Sequence, residues 1–208
     1  MRFLIKICGI TTPEDAAMAA AAGADALGIN LWPGSRRYVA PEAVADVLAA
    51  IPPHVLKVGV FVNAAPAEVM ARVLTLGLDR AQLHGDEQPA DFAGVPRERL
   101  MRAIRVKDAA SLAEAAAWAP DLFLYDAFVD GYGGGGALGP WDVVAACARR
   151  PFLLAGGLTP ENVADAIRAT RPNGVDVASG VELAPGKKDA RAVAAFIANA
   201  RAAVAAKR

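Results

Sequence analysis

The sequence predicts a (β/α)8 barrel, a single α/β domain over residues 1–208. Three observations point there. Short β-branched or Leu-rich runs alternate eight times with Ala-rich stretches of helical spacing, a pattern that implies a parallel sheet. Eight such units in roughly 200 residues is the barrel count, at the small end of its range. The turn after the first strand, Cys8-Gly9-Ile10-Thr11, lacks the G-x-G-x-x-G signature of a doubly wound dinucleotide fold. No composition shift or long linker marks a second domain.

Each element has a local reason. Residues 3–8 (FLIKIC) form the first strand. Thr12 can cap a helix with Pro13 in its first turn, Glu14 and Asp15 suit its positive end, and Gly23 stops it. The second strand is 25–30, and the loop LWPGSRRYVA leads to a helix from Pro41 that Pro52-Pro53 closes. The unit then recurs. Strands are expected at 55–62, 79–83, 100–105, 121–125, 152–155 and 174–178. Helices are expected at 66–76, 88–93 (short), 109–118, 140–148, 160–169 and 189–204. A Gly-rich loop, 131–139, follows the sixth strand.

Composition narrows the function. The chain is 55% hydrophobic, with 22 Lys+Arg against 22 Asp+Glu. That is too apolar and too balanced for a disordered chain. A nucleic-acid or anionic-membrane binder would carry a basic surplus. Two cysteines, Cys8 and Cys147, with no CxxC or Cys/His spacing, support neither a disulfide framework nor a zinc site. Cys147 lies on an Ala-rich helix and reads as structural. The apolar start is too short for a secretory segment, and every apolar run falls short of the ~20 residues that span a bilayer. The expectation is a cytoplasmic enzyme with no metal, no nucleic acid and no membrane among its partners. Its oligomeric state is open between monomer and homodimer.

Barrels place chemistry at the C-terminal strand ends. Polar and glycine residues concentrate there. Lys6 and Cys8 alternate on the first strand, so both point inward. Cys8 reads either as a small buried hydrophobe or as a thiol given thiolate character by Lys6. Asp126 ends the apolar sixth strand, where partial burial would suit a general acid; the other reading is a capping loop Asp. Asp130 reads as a loop residue. Gly156 and Gly157, then Thr159-Pro160, lie ahead of a helix start, and Ser179-Gly180 end the eighth strand. Loops after strands seven and eight, with a short extra helix, often bind phosphate, and the segment VELAPGKKD has room for that helix. An arginine of the Ser35-Arg36-Arg37 cluster can fork onto a carboxylate, though taken alone a surface arginine there reads as solvated. His84 reads as a base, an orienting donor or a satisfied structural histidine, with the orienting role favoured, and Asp176 as an inward residue that fixes a partner. An acid and a base across one mouth suit an isomerisation.

The segments KICGIT, GVFVN, QLHG, AGGLTPENV and VDVASGVE, followed by PGKKD, resemble phosphoribosylanthranilate isomerase of tryptophan biosynthesis over essentially the whole chain. The resemblance implies an Amadori rearrangement of N-(5′-phosphoribosyl)anthranilate without a cofactor. It makes Cys8 the base, Asp126 the acid and Arg37 the partner of the anthranilate carboxylate. Lys6, His84, Gly156, Gly157, Asp176, Ser179 and Gly180 complete the expected substrate-binding set. The family usually has Phe-Asp-Trp before its sixth helix, whereas this chain has Gly139-Pro140-Trp141. Pro140 can instead serve as the helix's first residue. Two other readings compete: another phosphate-binding barrel of the tryptophan, histidine or thiamin pathways, and a non-catalytic phosphometabolite-binding barrel. Neither calls for a cysteine after strand one paired with an aspartate after strand six.

Overall fold

The computed structural model describes residues 2–127, 141–147 and 151–206. The expectations for Asp130, for loop 131–139 and for Pro140 as a helix start fall outside the described residues. Eight parallel strands close into a barrel in chain order, with β8 (Gly174–Val177) pairing back onto β1 (Leu4–Cys8). Between them run β2 (Ala26–Asn30), β3 (Leu56–Phe61), β4 (Arg80–Leu83), β5 (Leu100–Val106), β6 (Leu122–Ala127) and β7 (Phe152–Leu154).

Several helices start where the sequence marks them. In α1 (Pro13–Ala21) the Thr12 hydroxyl accepts from the Asp15 amide at 3.2 Å, and Pro13 occupies the first turn. Pro41 and Pro66 open α2 (Pro41–Ala49) and α3 (Pro66–Thr75) in the same way; proline supplies a helical φ and lacks only an amide that would be unpaired there. Asp108 and Ser111 form a reciprocal capping box on α4 (Ala109–Ala113), which tightens into a 3₁₀ turn over Glu114–Ala117. Helices α5 (Trp141–Cys147), α6 (Val163–Thr170) and α7 (Ala190–Ala205) complete the ring.

Strand alternation makes two apolar layers. Ile5, Ile7, Leu27, Ile29, Phe123 and Val175 face outward into the layer shared with the helices. Leu4, Met101, Ala103, Leu122, Leu124 and Leu153 pack together inside the barrel. Lys6, Gln82 and Asp176 are buried polar residues, and they lie on strands whose ends form the mouth.

Two expectations are corrected. The short helix at 88–93 does not form, so the β4–β5 connection carries only turns and a 3₁₀ turn at Arg97–Arg99. The Glu87 carboxylate organises this connection in place of a helix. It accepts from the amides of Asn63 at 2.9 Å and Gly85 at 2.9 Å, and from Arg102 Nη1 at 2.5 Å. The Arg102 guanidinium lies 4.7 Å from the Trp118 ring centroid. A depression of about 530 Å³ beside this connection is lined by Gln88, Arg102, Lys107 and Trp118 among others. The extra helix expected in VELAPGKKD is instead a hairpin, β9 (Glu182–Ala184) with β10 (Lys187–Lys188), after a 3₁₀ turn at Ser179–Val181. Glu182 and Lys188 turn inward as a buried ion pair, which ties the segment down as a strand pair.

Candidate active site

Lys6 and Cys8 do point inward. Gly28 lies opposite Cys8 in the β1–β2 register. A Cβ on Gly28 would sit 2.7 Å from Cys8 Sγ and 3.0 Å from Lys6 Nζ, so only glycine leaves room for both side chains. Lys6 has none of its surface exposed and donates to Asp176 Oδ1 at 2.7 Å. Asp176 is its register partner across the β1–β8 seam. Lys6, expected in the substrate-binding set, is fully buried here. Its ammonium is engaged by Asp176 and Cys8 beneath the cavity floor.

This triad decides the protonation of the thiol. Burial pushes the Cys8 thiol above its ordinary range, Lys6 pulls it down, and the Asp176 carboxylate pushes it up again; the net shift is upward. The expected gain in thiolate character from Lys6 is thus outweighed, because desolvation disfavours the anion and Asp176 shares the cation. For Lys6, burial alone would lower the pKa, but Asp176 and Cys8 raise it above the ordinary lysine value.

Cys8, Arg37, His84, Asp126 and Asp176 line one cavity of about 220 Å³ at the barrel mouth, together with Asn30, Trp32, Gln82 and Ala178. His84 Nε2 stands 3.3 Å from Asp126 Oδ2, without the alignment of a hydrogen bond. The Gln82 amide meets His84 Nδ1 at 3.0 Å. With the amide N–H donating, the ring proton is on Nε2 and faces Asp126.

Arg37 reaches the cavity across the backbone of Gly9. A Cβ at Gly9, whose φ is +74°, would lie 2.4 Å from Arg37 Cδ. Arg37 is 8% exposed, and its guanidinium grips Glu182 through two edge contacts, Nε to Oε1 at 2.8 Å and Nη2 to Oε2 at 2.6 Å. The Ser35 hydroxyl accepts from the Arg37 amide at 3.1 Å and shapes the loop.

The glycine pairs stand on the neighbouring strand ends, β7 and β8. Gly156 and Gly157 both adopt positive φ, +87° and +65°. The Asn162 amide binds their turn, donating to Gly157 O at 2.9 Å while its oxygen accepts from the Thr159 amide at 2.8 Å. Helix α6 begins at Val163, a few residues later than expected. Gly180 lies against this turn, since a Cβ there would be 1.9 Å from Leu158 O. Ser179 opens the 3₁₀ turn, directly after the cavity-lining Ala178. Sequence reasoning misses Gly28, Gln82, Glu182 and Lys188. Strand alternation could have found Gly28 and Gln82; nothing local marks Glu182 or Lys188 as buried. Among the described residues, no group of three or more His, Cys, Asp or Glu is placed to hold a metal ion, and no helix is long and apolar enough to cross a membrane.

The family model for N-(5′-phosphoribosyl)anthranilate isomerase matches residues 5–199. The chain belongs to this family. An N-(5′-phosphoribosyl)anthranilate isomerase of Citrifermentans bemidjiense is 49% identical over 199 residues, covering 95% of this chain and 96% of that protein. The crystal structure of the Thermotoga maritima isomerase superposes with a TM-score of 0.88 at 37% identity, covering 96% of this chain and 99% of that one. A further isomerase structure, in complex with reduced 1-(o-carboxyphenylamino)-1-deoxyribulose 5-phosphate, gives a TM-score of 0.84 at 35% identity, covering 96% and 99%.

Proposed function

We infer that this chain is a ketol-isomerase of tryptophan biosynthesis. It converts N-(5′-phosphoribosyl)anthranilate into 1-(2-carboxyphenylamino)-1-deoxyribulose 5-phosphate. The observation that carries this reading is one cavity lined by a thiol, a carboxyl group and an arginine, Cys8, Asp126 and Arg37, in a chain of the isomerase family.

In this reading Asp126 gives its proton to the ribose ring oxygen. The C1′–O bond breaks as the anilino nitrogen lone pair forms a C1′=N iminium. Cys8, as thiolate, takes the proton from C2′, and the released pair forms an enolamine. Protonation at C1′ and loss of the C2′ hydroxyl proton give the ketone. The substrate is rearranged without net oxidation, so the steps ask only for proton transfers. His84 orients the Asp126 carboxyl. Arg37 receives the ring carboxylate, and the amides around Gly156, Gly157, Ser179 and Gly180 receive the phosphate. Burial raises the resting thiol's pKa, so the iminium charge beside it favours loss of the S–H proton to solvent, leaving the thiolate that takes the C2′ proton.

The test is turnover of phosphoribosylanthranilate by the purified protein and by Cys8→Ser and Asp126→Asn. Each substitution is expected to lower kcat by ~10²- to 10⁴-fold. Near-normal kcat in either variant would remove that residue's assigned role.

A further inference from the structure

The Glu182–Lys188 pair lies outside the proton-transfer chemistry, yet it bonds to two residues that line the mouth, Cys8 and Arg37. The Lys188 and Glu182 side chains are 0% and 4% exposed. Lys188 Nζ donates to Glu182 Oε1 at 2.7 Å, to the Cys8 carbonyl at 2.5 Å and to the Ala178 carbonyl at 3.2 Å. Glu182 in turn takes the Nε–Nη2 edge of Arg37. A buried line of charges, cation–anion–cation, thus runs from the carbonyl of the proposed base to the arginine. Burial alone would raise the Glu182 carboxyl, but hydrogen bonds and charge from Arg37 and Lys188 bring it below its ordinary range, so it stays an anion.

We propose that Glu182, locked by Lys188, is a positioning residue that aims Arg37 at the ring carboxylate of the substrate and fixes its distance from Cys8. The proposal rests on the isomerase reading. A guanidinium offers two forked edges to carboxylates. With Glu182 held on the Nε–Nη2 edge, the Nη1–Nη2 edge is the one with the geometry to take a second carboxylate. A long side chain from a loop would otherwise lose much of its binding energy to being ordered. Two cations against one anion leave a net positive charge, so Glu182 orients Arg37 without cancelling its attraction for an anionic ligand. The hairpin that carries the pair is itself tied to the start of α1. The Lys188 amide donates to Asp15 Oδ2 at 3.0 Å, and the Thr11 hydroxyl donates to Gly186 O at 2.5 Å.

The test uses a ligand pair: the reduced carboxyphenylamino-deoxyribulose phosphate, and the same compound lacking the ring carboxylate. Dissociation constants are measured by calorimetry on the wild-type chain and on Glu182→Gln. The wild type is expected to prefer the carboxylated ligand by about tenfold or more, the scale of a charge-assisted fork. In Glu182→Gln the preference falls to within about threefold, while binding of the carboxylate-free compound barely moves; KM rises by a larger factor than kcat falls. An unchanged preference, or equal weakening of both ligands as a merely structural role would give, overturns the proposal. If Glu182→Gln is not folded by circular dichroism, Glu182→Asp decides. Its shorter carboxylate cannot hold the same edge, so an intermediate preference supports the proposal and an unchanged one overturns it. Failure of the wild type to bind the carboxylated ligand, or to turn over substrate, would count against the isomerase reading instead.

Discussion

Asp176→Asn isolates the buried charge pair at the centre of the barrel. The Lys6 and Asp176 side chains are 0% and 9% exposed and meet at 2.7 Å. Removing one partner of such a pair leaves an uncompensated buried charge and typically costs about 3–5 kcal/mol. For a chain of this size each kcal/mol moves Tm by about 2–4 °C, so a fall of roughly 6–20 °C is expected. Lys6→Met is expected to cost a similar amount. The double variant Lys6→Met/Asp176→Leu should cost clearly less than the sum, because no stranded charge remains. The pH dependence carries a sign. The folded pKa of Lys6 lies above its unfolded value of 10.5, so the pair's contribution is complete below that value and is lost as pH rises through the folded pKa. The Asp176→Asn deficit is therefore flat through neutral pH. Urea unfolding followed by tryptophan fluorescence and circular dichroism reads these quantities. A single-variant loss below about 1 kcal/mol, or strict additivity in the double variant, would refute the reasoning.

Other expectations follow from the same geometry. In a Cys147→Ser background, iodoacetamide should alkylate Cys8 more slowly than a free thiol at pH 8, because burial raises its pKa; adding Asp176→Asn should speed alkylation at fixed pH, since Asp176 contributes to the upward shift. The retained thiol proton also means that folding stability falls as pH climbs above the ordinary thiol value of 9.0. Arg37→Ala should raise KM more than it lowers kcat; an unchanged KM with a collapsed kcat would contradict the carboxylate role. Inorganic phosphate should compete with substrate, and Gly157→Asp, which adds a like charge at a φ of +65°, should abolish that competition. Gly180→Ala should weaken phosphate binding and lower Tm, because its Cβ would sit 1.9 Å from Leu158 O.

The eight strands and their closure order are legible because buried parallel strands announce themselves as apolar runs, and because Pro13, Pro41 and Pro66 mark helix starts by local chemistry. The segment 88–93 escapes a local reading for the opposite reason. Its stability comes from Glu87, whose partners Asn63 and Arg102 lie 24 and 15 residues away, and no short window of sequence joins them. The candidate site divides along the same line. Cys8, Asp126, Arg37 and His84 can be found because strand ends can be counted. Glu182 and Lys188 look like solvated loop charges until the chain closes and brings Glu182 onto Arg37, 145 residues away. The sign of Lys6's effect on Cys8 is legible from strand alternation, but the net upward shift is not, because burial of the thiol outweighs Lys6 and Asp176 adds to it.

The most direct measurement is a crystal structure of this chain with the reduced product analogue bound. The expected result has Cys8 Sγ about 3.5 Å from C2′ and the Asp126 carboxyl within hydrogen-bond reach of the oxygen that closes the ribose ring. The phosphate should rest against Gly157 and Gly180, and the ring carboxylate on Arg37. A sugar seated with C2′ turned away from the sulfur, or with the phosphate at another rim of the barrel, would contradict the pairing of Cys8 and Asp126 over one substrate.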